Sequence, residues 1–442
     1  MGPALSRPLR QPEQDVEENA VRVDSARAIA VHDSWRALWM SRLLVWVVGI
    51  AAVGVAGVRS ATEAFDPRGL TSGLGRVGEA LAGPAARWDA AWYLTIAKSG
   101  YQPELGARTI ARAAFFPAYP LAIGAVGLLG VPLIVGGVLI SLVAFAAALY
   151  GIHRLTTLEF TRTERVDDRP EQVARLAVLV MAFTPMALFF SAIYTESLFL
   201  ALSVALFWSA RHGRWTWVGV MGALAVATRS TGLVLAVPAL VLYLYGPRED
   251  RPPDRLAPGP VRAADGVIAY ARHAAGLLRP RYRLRPQVLW LALLPAAVVI
   301  FAGSLALSGG DALAPFKAEH QVWGREFVGP IVSLWDTFQH PHPTTFVFLL
   351  AACPAVIGVL RRLPLAYGLY VLAAIAVAIS YPTKGLDPLT SLPRYMVVLF
   401  PMGMWLAAWL TEHPRLRTPV LILSALAMAV FVTRFATWRW AQ

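Results

Sequence analysis

The residue types best suited to chemistry lie in one short stretch, Arg87-Trp88-Asp89-Ala90-Ala91-Trp92-Tyr93-Leu94-Thr95-Ile96-Ala97-Lys98-Ser99-Gly100-Tyr101, answered downstream by Phe115-Phe116-Pro117-Ala118-Tyr119-Pro120. Asp89 is a carboxylate flanked by aromatics just past an apolar run. That combination belongs at a membrane–water boundary, where tryptophan and tyrosine place an apolar ring body and a wet tip. A carboxylate there can take a proton from a hydroxyl or orient it, where a water-soluble substrate meets a lipid-borne one. The same pattern also fits an ordinary interfacial aromatic belt with an exposed aspartate.

Three further charges interrupt or border apolar runs. Glu196 opens one, Arg229 sits between two short ones, and Arg394 follows Pro393 at the mouth of another. A charge inside a membrane is expensive unless it faces a cavity or a partner. Each has a plainer alternative: Asp89 as a helix cap, Glu196 as an anion at a helix N-terminus, Arg229 as a tie to backbone carbonyls, Arg394 as an interfacial anchor.

The elements that must hold these residues follow from composition. The 442-residue chain is 57% hydrophobic and only 15% charged, and its mean hydropathy is +0.54. Such a chain is a polytopic membrane protein, because a soluble one could not cover so much apolar surface with so few charges. A single cysteine, Cys353, within an apolar run offers neither a disulfide framework nor a cysteine metal site. The net charge of +13 does not point to nucleic acid, since most basic residues sit in short segments between apolar runs, as topology signals.

Residues 1–35 are polar and of mixed charge, which predicts a disordered cytoplasmic tail. The first apolar run then reads as a signal anchor, its leader being too long and too acidic for a cleaved signal peptide. A hydrocarbon core of about 30 Å needs roughly 20 apolar residues per helix. Runs near 37–58, 132–153, 174–192, 195–210, 215–229, 231–245, 287–308, 344–360, 364–381, 394–410 and 418–433 give about eleven spans. The segment 115–130 would break their register, so it reads as a re-entrant or juxtamembrane helix started by Pro117 and Pro120.

Arginine placement predicts an inside N-terminus, with Arg154, Arg211, Arg214, Arg361, Arg362, Arg415 and the basic loop 246–286 on the cytoplasmic side. Outside lie 59–131, 309–343 and 382–393, and these carry the polar residues of interest. The expected fold is therefore all-α, with a large first extracytoplasmic loop over 59–131 containing juxtamembrane helices. Long loops on one face suit an enzyme or transporter working there.

The ordered blocks Arg87 to Tyr101, Phe115 to Pro120, Phe190-Ser191-Ala192-Ile193-Tyr194-Thr195-Glu196-Ser197-Leu198-Phe199, Ala227-Thr228-Arg229-Ser230-Thr231-Gly232, Gln321-Val322-Trp323-Gly324-Arg325 and Ser391 to Tyr395 resemble the PIG-V mannosyltransferases. That family belongs to the GT-C class of lipid-phosphate-sugar-dependent glycosyltransferases, and the resemblance covers roughly residues 36–440. It implies a GT-C-like transmembrane domain over 36–440. The implied activity moves a mannosyl, or another hexosyl, group from a polyprenyl-phosphate sugar to a glycan or glycolipid acceptor on the non-cytoplasmic face. The implied partners are that lipid-linked donor, the acceptor and membrane lipids. The implied membrane is the plasma membrane of a prokaryote or the endoplasmic reticulum of a eukaryote.

Under the resemblance Asp89 is the catalytic base, and Arg394, Arg229 and Lys384 take the donor phosphate. Glu196, Trp88, Trp92, Tyr93, Tyr119, Tyr194 and Arg325 position donor or acceptor. No cofactor is called for, and no metal motif such as HExxH appears in the outer loops. The rival readings are a transporter or flippase for a lipid-linked substrate, which tends to show internal repeats absent here, and a non-catalytic assembly subunit of the same fold.

Overall fold

Thr184-Pro185 interrupts one apolar run, while Pro354 and Pro419 are carried inside long helices. The computed structural model describes residues 12–57, 70–71, 75–101, 109–161, 170–256, 276, 278–308, 310–340, 342–383 and 388–439. Within them the chain is all-helical, and the only β feature is an isolated bridge between Arg325 and Thr383. Lys384 and the residues 257–275 of the basic loop lie outside the described residues.

Among the described residues, five helices are long and apolar enough to cross a membrane: Asp24–Ala56, Leu133–Thr161, Pro286–Leu307, Pro343–Arg362 and Pro414–Ala436. The other expected runs form shorter or interrupted apolar helices between these, as in a polytopic membrane protein. Pro170–Phe183 stops at Thr184-Pro185, and a 3-10 turn at Ala187–Phe190 precedes Glu196–Arg211. Trp215–Thr228 ends at Arg229, whose backbone is extended, before a 3-10 turn and Ala236–Tyr245. The last break separates Leu392–Met396 from Phe400–Glu412.

Each break frees backbone carbonyls that apolar surroundings cannot solvate. Arg42, buried in the first helix, meets this need at the 184–195 break. Its Nη1 donates to the carbonyl of Ala187 and to Ser191 Oγ, both at 2.7 Å, and its Nη2 to the carbonyl of Ala182. The segment 115–130 is, as expected, too short to span: its helix is Ala118–Gly127, entered through Pro117.

The N-terminal expectation needs correction. A helix runs from Pro12 to Ala56, where a disordered tail through residue 35 was expected. Tertiary packing overrides the polar composition, for Asp33 is buried between His153, at 3.4 Å, and Arg175, at 3.1 Å.

Leu133–Thr161 packs on Glu196–Arg211 and on Pro170–Phe183, and Phe400–Glu412 covers the latter. Trp215–Thr228 lies between Glu196–Arg211 and Leu293–Leu307, close enough that a Cβ on Gly222 would crowd the side chain of Leu294. Small residues at crossings allow such approach. The first helix rests on Pro414–Ala436.

At the Arg211 end, a buried network closes the bundle. Arg211 Nε donates to Glu159 Oε1 at 2.6 Å, its Nη1 to Glu249 Oε1 at 2.9 Å, and the Tyr367 hydroxyl to Glu159 Oε1 at 2.7 Å.

Candidate active site

The three helix breaks and the helix Ala90–Ser99 converge at the other end of the bundle. Asp89 occupies the N-cap position of Ala90–Ser99 but makes no side-chain capping bond. Its carboxylate is instead directed across the molecule, where Arg394 Nη1 donates to Asp89 Oδ2 at 2.7 Å. A tight turn aims it. Trp88 adopts φ 57°, a left-handed conformation costing roughly 1–2 kcal/mol for a residue with a Cβ, and its ring packs on Trp438 at 5.3 Å. The Asp89 N–H donates to the Tyr194 hydroxyl at 3.0 Å, and the Ile193 N–H to the carbonyl of Ala85 at 2.8 Å. The turn is thus pinned to the 184–195 break, and Arg87 Nε adds a bond to the carbonyl of Ala436.

Glu196 is the first residue of its helix, and its cap, Thr195, makes no side-chain capping bond. Only 1% of the Glu196 side chain is exposed, and Oε1 is shared by Arg229 Nη1 at 3.4 Å and Arg394 Nε at 3.6 Å. Its Oε2 is buried without a hydrogen-bond partner among the described residues. Two carboxylates and two arginines therefore alternate as Asp89, Arg394, Glu196, Arg229. Neither arginine reaches out to the membrane surface as an anchor, their side chains being only 11–12% exposed.

Tyr395 is a hub that reading the sequence residue by residue passed over. The Arg229 guanidinium lies 4.9 Å from its ring, the Arg394 guanidinium 5.8 Å, and Arg325 Nη1 donates to its hydroxyl at 2.7 Å. Aromatic faces hold cations at such distances. Its adjacency to Arg394 was the available signal. Glu319, 3.5 Å from Arg325, and Trp323, edge-on to Phe115, are the other additions.

These groups surround an open cavity of about 70 Å³. Of the residues singled out from sequence, Asp89, Tyr93, Glu196, Arg229, Arg325 and Arg394 line it. Trp92 stands behind its wall, stacked on Phe115 at 5.9 Å, and the Tyr194 ring lies 5.5 Å from the Arg394 guanidinium. Tyr119 and Trp88 do not reach the cavity. The Tyr119 hydroxyl is committed to the carbonyl of Gly137 and to Ser141 Oγ deep in the packing, and Trp88 serves the turn. Burial first, then the anions Glu196 and Asp89, push the Tyr93 phenol above its ordinary range, so it stays a neutral donor in the cavity wall.

Chemically, the cavity offers two carboxylates, each with one oxygen that takes no hydrogen bond among the described residues: Asp89 Oδ1, beside the Oδ2 that holds Arg394, and the buried Glu196 Oε2. Three guanidiniums within reach suit a phosphate, whose oxygens match the planar fork. Beside it runs an apolar groove of about 700 Å³, bordered by Phe348, Trp405, Leu406 and Phe431 and reaching Pro393 and Met396 on either side of Arg394 and Tyr395.

Fold and cavity together define a polytopic helical membrane protein with a charged, aromatic-walled site beside a lipid-sized groove. Residues 39–243 match the family model described as Mannosyltransferase (PIG-V). Over 188 residues the chain is 33% identical to GPI alpha-1,6-mannosyltransferase 2 of Rattus norvegicus, covering 39% of this chain and 35% of that protein. The proteins of the same name from Mus musculus and Cricetulus griseus are 34% and 32% identical over the same length, each with 39% of this chain and 34% of the relative covered. The match thus spans about a third of the curated relatives' length. The family-model region contains Asp89, Glu196 and Arg229 and ends before Arg325 and Arg394.

Proposed function

We propose that this protein transfers a mannosyl group from a polyprenyl-phosphate-linked donor to a glycan or glycolipid hydroxyl, in the Asp89 cavity and on the non-cytoplasmic face of its membrane. The observation that carries the reading is the Asp89–Arg394 contact. It sets a carboxylate and a phosphate-binding guanidinium side by side at the head of an apolar groove. The family match supplies the sugar. In the names of the relatives the acceptor is a GPI precursor, which makes that precursor one member of an acceptor panel.

In this reading the prenyl chain lies in the groove and its phosphate displaces the carboxylates from Arg394 and Arg229. Asp89, released from Arg394, accepts the proton of the acceptor hydroxyl as its oxygen bonds to the anomeric carbon. The bond from that carbon to the phosphate oxygen breaks, and the departing polyprenyl phosphate keeps the electron pair, its charge met by the two arginines. Tyr93, Phe115 and Trp323, all in the cavity wall, provide the faces on which sugar rings rest.

The test is purified protein given polyprenyl-phosphate-mannose and, separately, GDP-mannose, with a panel of glycan and glycolipid acceptors. Transfer from the lipid donor is expected. Transfer from the nucleotide sugar alone would overturn the donor assignment, and transfer of a different hexose in preference to mannose would overturn the sugar.

A further inference from the structure

The far end of the Ala236–Tyr245 helix carries a feature that sugar transfer does not use. Residues 279–285, Arg-Pro-Arg-Tyr-Arg-Leu-Arg, form a strap whose backbone is tied down at Arg281, Tyr282, Arg283 and Arg285. The N–H groups of Arg281 and Tyr282 donate to the carbonyl of Leu244, and the Arg283 N–H donates to Asp254 Oδ2 at 2.8 Å. The Arg285 N–H donates to the Tyr243 hydroxyl, and the Arg255 N–H to the carbonyl of Arg281. Tyr282 is the inward anchor, buried between the guanidiniums of Arg248, at 4.9 Å, and Arg251, at 5.2 Å.

With Tyr282 turned in, its neighbours face out. Arg279, Arg283, Arg285 and Arg255 are exposed, and so are the large apolar residues Leu256, Leu278, Leu284 and Leu289. Exposed leucines interleaved with fixed arginines suit neither water nor hydrocarbon alone. They suit the boundary between acyl chains and headgroups, where the leucines sink and the guanidiniums meet phosphate. The strap enters Pro286–Leu307, one of the five long apolar helices, so it lies at that boundary. Behind it, Arg251 contributes a positive charge whose nitrogens have no hydrogen-bond partner among the described residues, its nearest acid, Asp254, being 3.9 Å away.

We propose that the strap and Arg255 form a binding surface for anionic phospholipids, the exposed arginines holding headgroup phosphates and the exposed leucines entering the acyl layer. The surface is separate from the Asp89 cavity. Arg229 and Tyr245 stand at opposite ends of the same helical segment, 16 residues apart, or about 24 Å at helical rise.

The full chain in neutral detergent, titrated with phosphatidylglycerol or phosphatidylcholine and followed by native mass spectrometry, tests this. Phosphatidylglycerol is expected to bind more tightly, and raising salt from about 50 to 300 mM should weaken it in the unmodified protein. The double variant Arg255→Gln/Arg283→Gln should lose phosphatidylglycerol affinity by about 25-fold, roughly fivefold per arginine, with phosphatidylcholine binding unchanged. The control Arg361→Gln/Arg415→Gln removes the same charge from other exposed positions and should bind as the parent does. Equal binding of the two lipids in the unmodified protein would overturn the proposal. So would equal losses in both double variants, or displacement of the lipid by inorganic phosphate at the same concentration.

Discussion

Arg394 and Asp89 are 305 positions apart, yet Arg394 Nη1 sits 2.7 Å from Asp89 Oδ2, and the contact closes the two halves of the chain over the cavity. An N-cap aspartate ordinarily spends its carboxylate on its own helix. Here the helix is left without that bond and the carboxylate is held for a distant partner.

Asp89→Asn keeps the size of the side chain and an acceptor for Arg394 while removing charge and basicity. Mannosyl transfer should fall by roughly two or more orders of magnitude, with expression and thermal unfolding close to the parent. A folded variant that turns over normally would return Asp89 to a shaping role.

Arg394→Lys keeps the charge without the fork, and Arg394→Ala removes both. Donor affinity should decline in the order parent, Lys, Ala, and turnover of the Ala variant should fall by about a hundredfold or more, since the leaving phosphate loses its counter-charge. Acceptor affinity should stay level. Equal donor affinity in all three would shift the phosphate to Arg229 or Arg325.

Glu196→Gln removes the anion that Arg229 and Arg394 share. The variant should melt lower than the parent, because two buried cations lose their common partner. Added polyprenyl phosphate should then raise its melting temperature more than it raises the parent's, as the ligand takes the place of the missing charge. Identical ligand-induced shifts would place the phosphate elsewhere.

Arg211→Ala takes away the guanidinium that faces the buried Glu159, at a cost of about 3–5 kcal/mol. Tyr367→Phe removes one bond to that acid and should cost about 1–2 kcal/mol. Denaturation in detergent reads both, and turnover of the folded fraction should be unchanged, since the network lies at the opposite end from Asp89.

Burial opposes ionisation of Asp250, but the hydrogen bonds and charge of Arg248 outweigh it and hold the carboxyl below its ordinary range. A depressed folded value means stability present at neutral pH and lost as acid protonates the native group. Asp250→Asn should therefore melt below the parent at pH 7, and the gap should close on acidification below about pH 4. A gap that does not narrow as the pH falls below that point would remove the charge from the explanation.

The charged positions were legible because a charge at the edge of an apolar run is costly and must be answered: Glu196, Arg229 and Arg394 all border the cavity. Which residue answers which was not legible, since contacts such as that of residues 89 and 394 leave no local pattern. Tyr119 misled because an aromatic near proline at the boundary looks exposed, whereas its hydroxyl is taken by Gly137 and Ser141. The N-terminal helix was missed for a related reason. Its polar face looks like a tail until Asp33 is seen between His153 and Arg175.

The anchoring of the Asp89 turn by Ala436 and Trp438 has a consequence for biosynthesis. The ribosome delivers Asp89 and Glu196 long before it delivers Arg394 or the segment on which Trp88 rests. Throughout synthesis of the intervening helices, the nascent site holds its acids with Arg229 as their counter-charge and without the wall that orients Asp89. The site is completed last, by the arrival of the final three helices, so a ribosome stalled before residue 394 leaves a cavity in which Asp89 lacks its arginine partner.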